Sequence, residues 1–110
     1  MSIYEFNALF NMVAKLIVLY SNIKDPKKFD EHYRNAHVPM AMKIPGVRDI
    51  VVSKVRGVAV GQANYYQVVE VYFDDMESLK KAAESKEAKE ATKDGLLLDP
   101  NITILVAEEE

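Results

Sequence analysis

The sequence predicts one α+β domain with the ferredoxin-like order β-α-β-β-α-β, a four-stranded antiparallel sheet with two helices on one face. Three observations support this fold class. Four short segments are rich in β-branched and aliphatic residues, two segments with helical spacing connect them in pairs, and the length of 110 residues suits a single domain. Helices on one face leave the other face of the sheet uncovered, so we expect a second copy of the chain to cover it.

The first half of the domain predicts a strand, a helix and a second strand. Residues 13–20 (VAKLIVLY) are almost entirely apolar and predict a buried strand. Asp25 followed by Pro26 is typical of a helix start, and an apolar stripe at spacings of three and four follows it. The stripe consists of Phe29, Tyr33, Ala36, His37 and Met40. Pro39 predicts that this helix ends or kinks near residues 36–38, because proline lacks the amide proton.

The second half predicts two more strands around a second helix. A strand lies within residues 47–58, a glycine-containing loop covers residues 57–64, and residues 65–73 (YYQVVEVYF) form the clearest strand. The pair Asp74-Asp75 predicts a helix cap, and the pair Asp94-Gly95 predicts the end of that helix. Residues 101–107 (NITILVA) predict the last strand.

Composition excludes several classes of function. The absence of cysteine excludes disulfides, thiolate metal sites and a cysteine nucleophile, and it fits a cytoplasmic location. The net charge of −3 and the scattered basic residues argue against nucleic acid as a partner. The longest apolar run, residues 16–20, is far shorter than the roughly 20 residues that cross a membrane.

Residues 1–11 are predicted to be an N-terminal extension to a domain of residues 12–110. Their large apolar side chains recur at near-helical spacing, at Tyr4, Phe6, Leu9 and Phe10. The segment is therefore either a loose terminus or a short amphipathic arm that docks on the domain or on its partner.

His37 is the strongest catalytic candidate, and Tyr33 lies one helical turn before it on the same face. Histidine titrates near neutral pH, and a helix end near Pro39 would favour its cation, so His37 could act as a general acid or base. The alternatives are that His37 caps carbonyl groups at the helix end and that Tyr33 belongs to the core.

His32 is a candidate substrate contact, although packing or surface exposure would explain it equally well. In a regular helix it lies about 140° from His37, because five residues at 3.6 residues per turn pass the full circle. The two histidines are therefore not expected to form a metal pair, and the sequence predicts neither metal nor another cofactor.

A second group of candidates comes from the third strand. Tyr66, Val68, Glu70 and Tyr72 alternate onto one face, which is expected to line the dimer cavity. Glu70 and Tyr72 could be catalytic, since a carboxylate in an apolar cavity has a raised pKa. Lys15 and Tyr66 could contact substrate on the same face, with Lys15 neutralising Glu70. The alternative is a buried ion pair or a dimer contact, and Arg48 and Lys54 are expected to be solvated.

The segment F-x-x-H-Y-x-x-x-H-V-P together with Ile44-Pro45-Gly46 closely resembles the EthD family, named for a protein of ethyl tert-butyl ether degradation. In this sequence the pattern falls on Phe29, His32, Tyr33, His37, Val38 and Pro39. The resemblance covers residues 12–107. It implies a dimeric α+β barrel in which two sheets face each other around a cavity, and it does not identify a reaction.

Two main hypotheses of function follow. The first is a cofactor-independent enzyme of oxidative or aromatic catabolism, in which His37 transfers a proton on a small apolar or aromatic molecule. The second is a non-catalytic dimer that binds such a molecule for a partner oxidation enzyme. A purely structural role ranks third, and whether the protein is an enzyme stays open at this point.

Overall fold

The computed structural model describes residues 13–110, which form the predicted order of elements, with each helical connection divided into shorter parts. The strands are β1 (Ala14–Ser21), β2 (Asp49–Lys54), β3 (Tyr65–Phe73) and β4 (Thr103–Glu108). The first connection contains α1 (Pro26–His32), a π-helical turn (Tyr33–His37) and α2 (Val38–Met42). The second contains α3 (Met76–Ala83) and α4 (Lys86–Leu98). The predicted extension over residues 1–11 lies outside the described residues.

The four strands form one antiparallel sheet in the order β2-β3-β1-β4. This is the strand order of the ferredoxin-like fold, so the predicted fold class is confirmed. The two central strands, β1 and β3, are the most apolar and pair over almost their whole length. Between residues 13 and 110 no helix is long and apolar enough to cross a membrane.

The hydrophobic core lies between the sheet and the helices. Val69, Val71 and Phe73 alternate along β3 toward the helices and are at most 6% exposed. Tyr20 from β1 and Phe29 from α1 meet edge to face, with ring centroids 5.1 Å apart. Each such large apolar side chain contributes about 1.5–3 kcal/mol by leaving water, so the helix side of the sheet supplies most of the packing energy.

A β-bulge changes the direction of one predicted site residue. The register pairs Tyr20 with Gln67 but Ser21 with Tyr65, which leaves Tyr66 as the extra residue of β3. Tyr66 packs against Phe29 with ring centroids 5.5 Å apart, and its hydroxyl donates to Asp30 of α1. The prediction that Tyr66 shares a face with Glu70 and Tyr72 is therefore wrong, because a bulge re-aims the side chain at the inserted residue.

The helix begun by Pro26 continues past the predicted end. Asp25 caps it by accepting from the Lys28 amide at 3.2 Å. The path then widens into the π-helical turn, where the Val38 amide donates to the Tyr33 carbonyl, and it runs on to Met42. Pro39 lies directly after the wide turn, in the first turn of α2. The disturbance predicted from Pro39 is thus a widened turn and not a helix end, so His37 is not at a helix terminus.

The second helical connection also differs from the prediction. It breaks after α3, and Ser85 caps α4 by accepting from the Ala88 amide at 3.1 Å. The predicted end at Asp94-Gly95 is wrong, since α4 continues to Leu98. Gly95 lies inside α4 because the helix passes close to the core there. A Cβ atom on Gly95 would stand 3.1 Å from Ile102 Cδ1 and 3.6 Å from the Tyr20 hydroxyl.

Candidate active site between the helices and the sheet

A histidine–aspartate pair is the centre of the candidate site. His37 lies on the π-helical turn and is 8% exposed, and Asp94 lies on α4 opposite it. The Nδ1 atom of His37 is 2.8 Å from Asp94 Oδ2. Because a carboxylate can only accept, Nδ1 carries the proton and donates it to this bond. In the neutral ring the other nitrogen, Nε2, is then an acceptor, and it has no partner among residues 13–110.

His32 binds the same carboxylate from the other side. Its Nε2 atom lies 2.9 and 3.0 Å from the two oxygens of Asp94, and its side chain is 43% exposed. The predicted separation of about 140° between the two histidines is wrong, because that value assumes 3.6 residues per turn. The π-helical turn has a wider period, with bonds between residues five apart, so it brings residues five apart onto one side.

Asp94 is held in its ionised form by the two histidines. Burial alone would raise the pKa of this carboxyl group, but the hydrogen bonds from His37 and His32 outweigh it and lower the pKa below the usual value. The carboxylate therefore fixes the tautomer and orientation of His37. It also stabilises the positive charge that His37 acquires when it takes a proton, which is the role of the aspartate in a catalytic His–Asp pair.

Aromatic rings hold His37 in place. Phe29 and Tyr33 stack with centroids 5.7 Å apart, and Tyr33 and His37 stack with centroids 5.0 Å apart. Tyr20 meets Tyr33 edge to face at 5.7 Å. Burial raises the pKa of both tyrosine hydroxyls, so both stay neutral near pH 7. Tyr33 is thus a core residue beside His37. This agrees with the alternative given for it above, that it belongs to the core.

The ring of His37 borders a small cavity of about 70 Å³ between the helices and the sheet. Most of its walls are aliphatic, and its polar groups come from His37, Tyr20 and Thr92. The aliphatic walls include Leu16, Val18, Ala41, Ile44, Val71, Ala88, Ala91, Ile102 and Ile104. Gly95 lies beside the imidazole, whose Cε1 atom would be in ordinary van der Waals contact, at 3.8 Å, with the Cβ atom of an alanine there.

A larger open groove lies on the solvent side of the same cluster. It has a volume of about 600 Å³ and is bordered by His32 and Asp94, with Phe29, Leu97 and Leu98 among its apolar lining. The chain His32–Asp94–His37 therefore extends from this groove to the smaller cavity beside His37. Hydrogen bonds to the shared Asp94 carboxylate link the exposed histidine to the buried one.

The open face of the sheet carries a separate polar group. Lys15 Nζ lies 2.8 Å from Glu70 Oε2, and the Tyr72 hydroxyl donates to the same oxygen at 3.1 Å. The structure therefore brings these three residues together as the sequence predicts. The raised pKa expected for Glu70 is wrong, because the hydrogen bond from Lys15 lowers it. Glu70 is an ionised partner of Lys15.

The sheet separates this trio from His37. Leu16, Val18 and Val71, which border the cavity beside His37, point to the helix side of β1 and β3. Lys15 and Glu70 alternate with them and point to the other side. The prediction of one site that combines His37 with Glu70 and Tyr72 is therefore wrong.

The prediction for Lys54 is also wrong. It was expected to be solvated, but it forms an ion pair with Asp30, donates to Gln67 Oε1 at 2.7 Å and lies 4.1 Å from the centroid of the Tyr66 ring. Arg48 is exposed and pairs with Asp74 at 3.2 Å, in agreement with its predicted solvation.

Asp94 is the functional residue that sequence reasoning missed. It was assigned to the end of a helix, and it meets His37 across 57 positions of sequence, so local patterns do not indicate the contact. The only local signal was the spacing of five between the two histidines just before Pro39, which suits a π turn. Among residues 13–110 no cluster of three or more candidate ligands could hold a metal ion.

Residues 24–96 match the EthD domain family. The chain belongs to the EthD family. An ethyl tert-butyl ether (EthD) family protein from Bacillus halodurans has 40% sequence identity and a TM-score of 0.83, over 90% of this chain and 100% of that one. An uncharacterised 11.0 kDa protein of the thcB–thcC intergenic region of Rhodococcus erythropolis is 28% identical over 97 residues, 87% of this chain and 94% of that protein. The family predicted from the F-x-x-H-Y-x-x-x-H-V-P segment is confirmed.

Two solved structures share the fold at low sequence identity. A dimeric ferredoxin-like protein of unknown function from Thermobifida fusca is 16% identical with a TM-score of 0.66, over 88% of this chain and 91% of that one. Hydroxynitrile lyase from Passiflora edulis is 15% identical with a TM-score of 0.72, over 89% of this chain and 94% of that one. At this identity the similarity concerns the fold alone.

Proposed function

We propose that the protein catalyses proton transfer on a small apolar molecule, with His37 as the general acid and base in the space between the helices and the sheet. The observation that carries this proposal is the buried bond from His37 Nδ1 to Asp94, which leaves Nε2 as an acceptor. An oriented imidazole with an acceptor nitrogen beside an apolar cavity can take and return a proton of a bound molecule.

The proposed cycle uses only the groups of this cluster. Nε2 of His37 removes a proton from an activated C–H or O–H bond of the substrate, and Asp94 stabilises the resulting imidazolium. The imidazolium then returns the proton to another atom of the substrate, so the net result is an isomerisation or a cyclisation.

The cavity limits the substrate. A volume of about 70 Å³ holds roughly two waters at about 30 Å³ each. A molecule of more than a few heavy atoms must therefore displace the aliphatic side chains around it. The fold accommodates catalysis in at least one relative, since a hydroxynitrile lyase shares it, and the family name points to catabolism.

The protein is further proposed to be a homodimer that pairs through the open face of the sheet. Ile17 and Leu19 of β1 and Val68 of β3 lie on this face, and no element of residues 13–110 covers them. Apolar side chains on a continuous face favour pairing with a second copy. A protein with the same fold is described as dimeric.

Hydrogen–deuterium exchange tests the catalytic proposal without knowledge of the natural substrate. Small apolar ketones, aldehydes and nitriles are incubated with the protein in D₂O, and the loss of the signal of the acidic C–H is followed by proton NMR. We expect the wild-type protein to accelerate exchange for some of them. His37→Gln should abolish the acceleration, and Asp94→Asn should reduce it by about a hundredfold or more, as loss of the orienting carboxylate does in other His–Asp pairs.

Glu70→Gln is the matched control, because it removes a carboxylate from the other face of the sheet. Exchange that survives His37→Gln, or that Glu70→Gln abolishes, would contradict the proposal. If small apolar molecules bind near His37 and none of them exchanges, the protein is the non-catalytic binding dimer of the second hypothesis.

A further inference from the structure

We propose a second binding site, for a small carboxylate with an apolar body, in a cleft between the π-helical turn and strands β2 and β3. The cleft has a volume of about 240 Å³, and its lining includes Lys54 and Gln67. It is separate from the cavity beside His37, although Tyr33 borders it. The proposal does not depend on the proposed catalysis.

The amide of Gln67 is the first argument for a ligand. Gln67 is 1% exposed, and its Oε1 atom accepts from Lys54 Nζ at 2.7 Å. Because the lysine ammonium can only donate, this bond fixes the orientation of the amide. The Nε2 atom is buried and has no hydrogen-bond partner among the described residues. A buried donor without a partner costs about 1–3 kcal/mol. Because Nε2 itself is buried, a ligand acceptor recovers this cost once the side chains beside Gln67 move aside.

The charges around the cleft favour an anion. Lys54 and Arg34 bring two positive charges and Asp30 brings one negative charge. The carboxylate of Asp30 is already engaged by Lys54 and by the Tyr66 hydroxyl, at 2.9 Å from the latter. No carboxylate of residues 13–110 lies within ion-pair distance of Arg34. The Gln67 amide and the Arg34 guanidinium therefore lie in the lining of one cleft, and both could donate to a ligand carboxylate.

The remaining walls define the body of the ligand. Val38 and Val52 border the cleft together with the ring of Tyr33, and most of the lining surface is apolar. At about 30 Å³ per water, 240 Å³ corresponds to roughly eight waters. A carboxylate on a single ring or on a short branched chain is of suitable size, and benzoate is a practical probe.

A titration with benzoate, followed by ¹⁵N-resolved NMR of backbone and side-chain amides, tests this site. We expect saturable shifts of the Gln67 side-chain amide and of the backbone around Val38 and Val52. Benzyl alcohol, which has the same ring without the charge, should bind about tenfold more weakly or worse, because hydrogen bonds to charged groups are the stronger ones.

Gln67→Glu is the decisive variant. It keeps the size of the side chain and an acceptor for Lys54, but it replaces the free donor with a negative charge. We expect this variant to lose benzoate binding, and Arg34→Gln to weaken it about tenfold. Arg48→Gln, which removes an arginine outside the cleft, should leave the Kd unchanged.

Three results would overturn the proposal. They are no saturable shift at 10 mM benzoate (roughly the upper limit for a weak specific site), equal binding of benzyl alcohol, and unchanged binding by a folded Gln67→Glu protein. None of them bears on the exchange experiment with His37→Gln, so the two proposals succeed or fail separately.

Discussion

The two faces of the sheet both carry polar side chains, but they hold them in different ways. On the helix side, His37 and Asp94 have side chains that are 10% and 12% exposed, and each is fixed by contacts from separate elements. On the open side, Lys15 and Glu70 are 20% and 28% exposed and contact one another across two neighbouring strands. The first pair is oriented by His32 and by the stacked ring of Tyr33. The second is a local ion pair on a sheet face that no element of residues 13–110 covers.

This difference shows that residue type alone does not identify a reactive group. Glu70 is of a residue type that often serves in catalysis, and a tyrosine and a lysine lie beside it. The lysine nevertheless lowers the pKa of Glu70 and keeps its carboxylate ionised. His37 has an acceptor nitrogen beside a cavity and a carboxylate behind the ring. Chemistry is therefore expected on the covered face and association on the open face.

The largest expected effect is the loss of the dimer when a charge is placed on the open face. Ile17 lies at the centre of that face, between Glu70 of β3 and Leu105 of β4. Ile17→Asp would bury an unpaired carboxylate from each protomer, which weakens pairing by about 3 kcal/mol or more, roughly a hundredfold or more in Kd. Light scattering at micromolar concentration should show a dimer for the wild type and a monomer for the variant. A wild-type monomer would refute the assignment of this face to association.

The next effect compares the same substitution in adjacent residues on opposite faces. Val69 points to the core and is 2% exposed, whereas Val68 points to the open face and is half-buried. Val69→Ala should lower the free energy of unfolding by about 2–3 kcal/mol, from lost transfer energy and the cavity left behind. Val68→Ala should cost less, and its cost should depend on protein concentration if the dimer covers it. Urea denaturation at two protein concentrations measures the free energy of unfolding of both variants. Equal losses of stability in the two variants would contradict the contrast between the faces.

Asp94→Asn tests the polar cluster on the covered face. The substitution removes the charged acceptor of both histidines and should lower the free energy of unfolding by about 1–3 kcal/mol near pH 7. Because the pKa of Asp94 is lowered by folding, its carboxylate stabilises the native state above the unfolded pKa of about 3.9. The gap between wild type and variant should therefore be full above about pH 4 and shrink as the pH falls through the native pKa. A gap that stays undiminished in strongly acidic buffer, where the carboxylate is protonated, would show that Asp94 is not the ionised partner.

The smallest expected effect is on the open face. Glu70→Gln removes the negative partner of Lys15 and should change the free energy of unfolding by only about 0.2–1 kcal/mol, with a smaller effect at high salt. Thermal denaturation at low and high salt checks this value. A loss above 2 kcal/mol that salt does not reduce would mean that the pair is buried, and therefore that the open face is covered more fully than the described residues show.

Much of the fold follows from short-range patterns in the sequence. The strands from Tyr65 to Phe73 and from Ala14 to Ser21 were predicted to within a residue, because β-branched and aromatic runs indicate strands directly. The cap at Asp25 and the helix start at Pro26 also follow from local chemistry. These features depend on residues that are adjacent in the chain, so they can be predicted from the sequence alone.

The errors concern features that depend on distant contacts. Gly95 was assigned to a helix end because glycine often ends helices, but it lies inside the helix, where a Cβ atom would come within 3.1 Å of Ile102. The direction of Tyr66 depends on a bulge against β1 that alternation cannot indicate. The meeting of His32, His37 and Asp94 requires both the π turn and the packing of α4. The histidine spacing gives only a weak local sign of the turn, and the packing of α4 depends on residues far along the chain.

The π-helical turn makes the winding of the first helix a property of the site, apart from the identity of its residues. A regular α-helix advances about 100° per residue, so straightening the turn while keeping all five steps from His32 to His37 would set the two imidazoles about 140° apart and away from their common carboxylate, although every chemical group remained present. Four steps of a regular helix return to within about 40° of the starting direction. Removal of one residue from the turn would therefore be expected to restore a regular helix that still carries both histidines on one side.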